Sequence, residues 1–407
     1  MSTQTPAARP PGVVEVVFLA VTASLMLVPV TLPVPVLKGL VQERFGVSDL
    51  ATSLFMSLNM VGALMAAPLA GLTADRFGRH RPLIAVALLA DAACMWGLTW
   101  DLPFAAFLAL RFLEGGAHIF ALSLLLSLAA ARAEGVGRGG VMGAVGGGMT
   151  LGVAVGAPLG GQLGRDDALA PLVAGAVMLV VLALVTAVGL RDARGRGRRQ
   201  HRLRDLVGAA KRESALLLPL AYAFADRFTV GFFIASFPLY MKRVYALPPP
   251  EIGMLLGLML GPFSLLSFAF GRISDRSSRI ALVVVGSAAY GAGLVSLGVW
   301  TPAELRIVMP VLGVLSAVMF VPSLLMITDL APKEIRATAL GAFNAVGSLG
   351  LLVGPLVAGA VSERVAASTD WPTGYTAAFA VAGAAELACV VLTMRGLLRL
   401  RRDGRLT

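Results

Sequence analysis

Apolar residues run along this chain in long, nearly unbroken stretches. Twelve of these have membrane-spanning length: 14–37, 50–72, 82–100, 103–130, 140–163, 168–190, 214–240, 251–271, 280–300, 306–328, 338–361 and 374–396. A helix needs about 20 mostly apolar residues to cross a hydrocarbon core about 30 Å thick. The stretches are too long and too rich in Gly and Ala for barrel strands, which need only about 10 residues. The first stretch has no basic cluster before it beyond Arg9 and no clear small-residue cleavage site, so it reads as a span rather than a leader. The pattern predicts an all-α polytopic membrane protein with twelve transmembrane helices.

Composition narrows the class further. The 407 residues are 57% hydrophobic and 14% charged, against about 25% charged in soluble domains. That excludes an ordinary soluble enzyme, a disordered chain and a nucleic-acid-binding domain. Cys94 and Cys389 both fall in apolar runs and suggest neither a disulfide framework nor a metal site. No Gly-x-x-x-x-Gly-Lys-Ser/Thr loop marks an ATP-driven pump. His80, His118 and His201 lack haem- or metal-ligand spacing, so no cofactor and no metal is expected.

The net charge of +11 is mainly a topology signal. With the amino terminus in the cytoplasm, 25 of the 34 Lys and Arg residues fall on cytoplasmic segments and seven on outer loops. The positive-inside rule then places both termini in the cytoplasm of a bacterial-type inner or plasma membrane. The basic run 191–212 separates six spans from six and suits a linker beside anionic lipid rather than nucleic acid. The expected division is an amino-terminal bundle 1–190, a linker 191–213, and a carboxy-terminal bundle with a short tail, 214–407.

The two halves echo one another. Gly71, Asp75, Arg76 and Arg79 after span two recur 200 residues later as Gly271, Asp275, Arg276 and Arg279. Pro158 in span five and Pro355 in span eleven are 197 apart. Two echoes at nearly one offset argue for two pseudo-symmetric six-helix bundles, a plan common in transporters whose substrate site lies between the repeats.

The segment Gly71-Leu-Thr-Ala-Asp75-Arg76-Phe-Gly78-Arg79-His80-Arg81 resembles the signature of the major facilitator superfamily, Gly-x-x-x-Asp-Arg/Lys-x-Gly-Arg/Lys-Arg/Lys, with His80 at one basic position. The resemblance covers the whole chain. Within that family it is similar to the twelve-helix drug/proton antiporter branch. Arg111-Phe-Leu-Glu114-Gly115-Gly116-Ala117 resembles that branch's Arg-x-x-Gln-Gly-x-Gly, and Gly152 to Gly161 around Pro158 resembles its span-five motif. The resemblance implies that Asp75 clamps the halves on the cytoplasmic side near Ala337, aided by Arg76, Gly78 and Arg79. It implies gating by Gly71, Gly156, Pro158, Gly160, Asp275 and Arg276. It also implies a transporter rather than an enzyme, working by alternating access.

Charges inside spans are costly and usually face the bundle interior or a water-filled cavity. Arg111, Glu114 and His118 share roughly one helical face. Arg111 stabilises an ionised Glu114, whereas the apolar surroundings favour its proton. Asp226 and Arg227 form a second charged site in span seven and point about 100° apart. Asp91 and Glu386 are further intramembrane acids, at positions often peripheral in the resembled fold. Tyr222, Phe233 and Phe237 lie at helical spacings from Asp226, and with Asn59 and Asn344 they complete the candidate cavity. A mostly apolar cavity with a few polar groups suits an amphipathic organic molecule.

The expected function is therefore proton-coupled export of hydrophobic or amphipathic small molecules, of the multidrug-efflux type. The alternatives are a transporter or uncoupled facilitator of one organic anion or lipid-like metabolite, and, from another class, a non-transporting membrane receptor. The expected partners are a small organic substrate, protons and lipid, with the chain acting as a monomer. For topology, single cysteines placed in 191–212 should react with an impermeant thiol reagent only from the cytoplasmic side, and those in 241–250 only from outside. Labelling of the linker from outside alone would reverse the arrangement.

Overall fold

The computed structural model of the chain describes residues 13–77, 79–132, 138–190, 214–274, 276–331 and 336–404. Every regular element among them is helical. In order these are α1 (Val13–Thr31), α2 (Val34–Phe45), α3 (Asp49–Phe77), α4 (His80–Gly97), α5 (Phe104–Arg132), α6 (Arg138–Leu163) and α7 (Ala170–Gly189). After the linker come α8 (Leu217–Tyr245), α9 (Pro249–Ser274), α10 (Arg279–Val295), α11 (Pro302–Leu330), α12 (Arg336–Ala366) and α13 (Trp371–Arg402). The first predicted span is two helices, because Pro33 offers no amide hydrogen and disfavours helical backbone at Leu32. Counted as one crossing, α1 and α2 give the twelve spans expected. A helical route satisfies every backbone polar group within its own segment, as a hydrocarbon surround demands.

The contacts divide the chain into two compact units. One comprises Met1–Pro33, Val61–Gly156 and Leu169–Arg199; the other comprises Val34–Met60, Ala157–Ala168 and Gln200–Thr407. In the first, α4 packs on both α5 and α7, and α1 lies against α7. In the second, the closest packing is of α12 on α8, with α9 on α11 and α10 between α11 and α13. α2 with the start of α3, and the far end of α6, belong to this second unit.

Glycine sets how closely the helices approach. In the first unit a Cβ at Gly148 or Gly152 of α6 would collide with the Ala20 or Ser24 carbonyl of α1. In the second unit Gly350 and Gly354 of α12 stand over the Phe224 and Phe228 carbonyls of α8 in the same way. The repeat seen in the two prolines is thus also a repeat of helix-on-helix contact. Small residues of this kind let backbones meet where lipid gives no hydrophobic drive for helix association.

The entry to α13 is capped by Asp370, which accepts from the Thr373 amide at 2.8 Å. Side-chain and backbone hydrogen bonds from Thr373 hold this carboxyl below its ordinary value. Its contribution is complete above the free carboxyl's range and is lost as pH falls through the lowered value.

Gly152→Val and Gly350→Val should each destabilise the protein by about 1–3 kcal/mol through overpacking. Gly147→Ala, where an added Cβ meets nothing within 4 Å, should be neutral or slightly stabilising. Thermal unfolding of detergent-purified protein distinguishes the two classes.

Candidate functional site

Three sets of buried polar side chains are built into the apolar helices. The first lies on α4 and α5. Arg111 donates to Glu114 one turn along α5, and both are buried. One turn further, His118 Nδ1 lies 2.9 Å from Asp91 Oδ2 on α4. The trio expected from spacing is therefore one helical face. The structure adds Asp91, which is 1% exposed, to this face. No sequence spacing links residues 91 and 118; the pair arises because α4 packs on α5. Two acids, an arginine and an imidazole within two helices can hold protons and charge in more than one arrangement.

The second set lies on α8. Arg227 Nε is 3.8 Å from Asp226 Oδ2, and the guanidinium rests 5.2 Å from the Phe320 ring of α11. The arginine thus folds back toward its neighbour while reaching across to α11. Asp226 lines a narrow cleft with Tyr222, Ser287, Phe320, Ser323 and Glu386. Tyr222 is joined to Thr393 of α13, their oxygens 2.9 Å apart. Phe233 and Phe237 stack at 4.7 Å within the closed apolar core of this unit, away from the cleft lining. Asn59 is buried, whereas Asn344 is exposed.

The third set was not foreseen as a site: Lys38, Lys242 and Arg243 are among the seven basic residues that the sequence reading assigns to outer loops. It lies within the second unit, where α2 and the start of α3 meet α8, α12 and α13. Asp49 is 1% exposed. Its Oδ1 accepts from Arg243 Nη1 at 3.0 Å and from Gln42 Nε2 at 2.5 Å, and its Oδ2 accepts from Tyr375 at 3.0 Å. Arg243 Nη2 also donates to Gln42 Oε1 at 2.9 Å, and its guanidinium lies 3.7 Å from the Trp371 ring. The Leu50 amide donates to Glu363, and buried Lys38 donates to Ser53. Lys242 and Glu43 make a solvent-facing pair at 2.6 Å. The available signal was the aromatic and basic residues crowded at span ends, but spacing alone cannot pair residues 49 and 243.

The side chains of Gly71, Asp75, Arg76, Gly78 and Asp275, and the expected clamp partner Ala337, lie outside the described residues, as does the 191–213 linker. Arg79 and Arg276 are exposed. Arg279 pairs with Asp329 of α11. Gly156 meets Val28 and Thr31 of α1, Pro158 meets Gly257 of α9, and Gly160 is buried. Among the described residues no group of three or more His, Cys, Asp and Glu side chains could hold a metal ion.

Among the described residues eleven helical segments are long and apolar enough to cross a membrane, and buried charge at mid-helix is set among them. The family model for the Major Facilitator Superfamily matches residues 17–235 and 219–405. The chain belongs to that superfamily and is a multi-pass membrane transporter, not an enzyme. The 3-(3-hydroxy-phenyl)propionate transporter of Escherichia coli is 27% identical over 367 residues, covering 88% of this chain and 89% of the relative. Magnetosome protein MamH of Paramagnetospirillum magneticum is 29% identical over 208 residues, 49% of this chain and 46% of that protein. Multidrug resistance protein 1 of Bacillus subtilis is 26% identical over 179 residues, 43% of this chain and 44% of that protein. The chain thus matches less than half the length of the last two. In three dimensions it resembles the nucleoside transporter NupG, with a TM-score of 0.75, 13% identity and coverage of 94% and 98% of the two chains. It also resembles a D-xylose-proton symporter, with a TM-score of 0.74, 14% identity and coverage of 92% and 95%. Likeness at these identities establishes the fold.

The buried network makes a graded prediction. Asp49→Ala leaves Arg243 without its carboxylate and should cost about 3–5 kcal/mol, the range for breaking a buried pair. Lys242→Ala, at a solvent-facing pair, should cost less than about 1 kcal/mol. Denaturation midpoints of the two purified variants should fall in that order, and equal losses would remove Asp49 as the centre of the network.

Proposed function

We propose that this transporter is a proton-coupled exporter of hydrophobic or amphipathic small molecules, driven through alternating access by a proton entering as substrate leaves. The observation that carries this reading is buried acid–base chemistry in both halves: Arg111, Glu114, His118 and Asp91 in one, Asp226 and Arg227 in the other. An interior carboxylate couples transport when its proton affinity differs between the two access states. Arg111 favours the ionised Glu114 while paired, and displacement of the arginine by substrate or closure favours its proton. Asp226 is the second carrier, in the carboxy-terminal half. The cleft at Tyr222 and Asp226, walled by Met319 and Phe320, is closed in this structure; once opened, its mixed lining would suit an apolar body with a polar end.

In this reading 1–190 and 214–407 are two six-helix halves joined by the basic linker, both termini face the cytoplasm, and the chain works as a monomer in a bacterial-type inner membrane. Asp75 clamps the cytoplasmic side, and the Asp49–Arg243 network holds the outer ends of the helices together. The names of two similar proteins, a multidrug resistance protein and a proton symporter, are consistent with it. A second reading, transport of an aromatic organic anion, is favoured by the propionate transporter that matches along nearly the whole chain. Arg227, already seated on an aromatic ring, would contact the anion.

The test is transport in proteoliposomes under an imposed pH gradient, using a panel of amphipathic cations, neutral aromatics and aryl-propionates, with equilibrium binding across pH. Glu114→Gln and Asp226→Asn should bind substrate but lose gradient-driven accumulation, and Arg111→Ala should lose both. A Glu114→Gln/Asp226→Asn double variant that still accumulates substrate at the wild-type level would eliminate coupling at these carboxyls.

A further inference from the structure

Glu386, midway along α13, has no part in the reading above. Its side chain is fully buried, at 0% exposure, and neither carboxyl oxygen meets a donor at hydrogen-bond geometry. Ser287 of α10 is the hydroxyl that faces it, but that Oγ lies 3.4 Å from Met319 Sδ and points there instead. Asp226 and Tyr222 face Glu386 from α8, Tyr290 from α10, and Cys389 from its own helix. The Tyr290 hydroxyl is likewise buried without a partner at hydrogen-bond geometry. From α11 the cleft receives Met319, Phe320 and Ser323, and among the described residues its lining contains no Lys or Arg. The nearby cation, Arg227, approaches Asp226 at 3.8 Å and rests on Phe320.

An ionised carboxylate so placed would bear most of the cost of leaving water, with no counter-charge in the cleft lining and only the Ser287 hydroxyl to turn toward it. A neutral carboxylic acid bears far less, so the geometry fits a carboxyl that has its proton. Asp226 differs: it shares the cleft but has an arginine beside it. Two carboxyls in one small cleft with one neighbouring cation are balanced by a single proton.

We propose that Glu386 and Asp226 form a proton-sharing carboxyl pair, in which Glu386 holds the proton while the cleft is sealed and Asp226 is the ionised partner of Arg227. When the cleft opens to water, the O–H bond of Glu386 breaks and its proton passes to water, directly or by way of Asp226. The Ser287 hydroxyl then turns from Met319 to donate to the carboxylate left behind. On resealing the proton returns, so one proton is taken up and one released per cycle. The pair's use in transport rests on the proton-coupled reading, whereas its protonation stands independently.

Infrared difference spectroscopy of the full chain in lipid nanodiscs, titrated with pH, reads the carbonyl band of a protonated carboxylic acid without any substrate. Wild type should show such a band at neutral pH, Glu386→Gln should lack it, and Glu386→Asp should retain it. Asp226→Asn removes the neighbouring anion, so the pH at which the band vanishes should move. A neutral-pH band in Glu386→Gln equal to wild type overturns the proposal, as does an unmoved titration in Asp226→Asn. Bleaching of the band by sodium at constant pH would make the site a metal-cation site and also overturn it. If the band behaves as expected while the Glu114→Gln/Asp226→Asn protein still accumulates substrate under a pH gradient, the coupling reading fails and the proton-sharing pair stands.

Discussion

The cost of holding charge away from water governs this structure. A chain that is mostly hydrocarbon-facing helix can keep an ionised side chain inside only by giving it a partner, and each buried charge described here is met in its own way. Asp49 gathers Arg243, Gln42 and Tyr375 around a carboxylate that is almost wholly buried. Glu114 takes its arginine from one turn earlier in the same helix, and Asp91 takes an imidazole from the next helix. Asp226 has its own sequence neighbour. These pairs are poor sources of stability, because desolvation cancels most of the attraction. They are well suited to change, because exchanging one partner for a proton or a substrate shifts a large electrostatic term.

Helix packing supplies the frame in which such exchanges can be read out. Lipid tails are as apolar as the helix surfaces, so association depends on close fit. The contacts of Gly148 and Gly152 with α1, and of Gly350 and Gly354 with α8, bring backbone against backbone where a side chain would hold helices apart. The same device occurs once in each unit, on the helix pairs related by the internal repeat. Interfaces made of small residues can slide or rock without repacking large side chains.

The distribution of acids is uneven in a way that bears on mechanism. In the amino-terminal half the acids Glu114 and Asp91 each have a basic partner. In the carboxy-terminal half two acids, Asp226 and Glu386, line one cleft beside a single arginine. The first arrangement can carry neutral or fully ionised pairs. The second is the arrangement proposed above to retain a proton while water is excluded.

Fold class and span number followed from the chain's order alone, because a helix that crosses hydrocarbon must carry some twenty apolar residues in a row. The internal repeat and the Arg111, Glu114, His118 face were also readable, since both are matters of spacing within or between segments. The break at Pro33 was foreshadowed by the prolines but not located. The residues brought together by different helices were beyond that reading: Asp91 with His118, Asp49 with Arg243 and Tyr375, Asp226 with Glu386. Apolar stretches in a membrane carry almost no pattern to say which helix stands beside which, and every face of a span looks alike when its neighbours are lipid or other helices. The partner of a buried charge is therefore set by helix packing, which buries Asp91 and Glu386, intramembrane acids whose surroundings the chain alone left open.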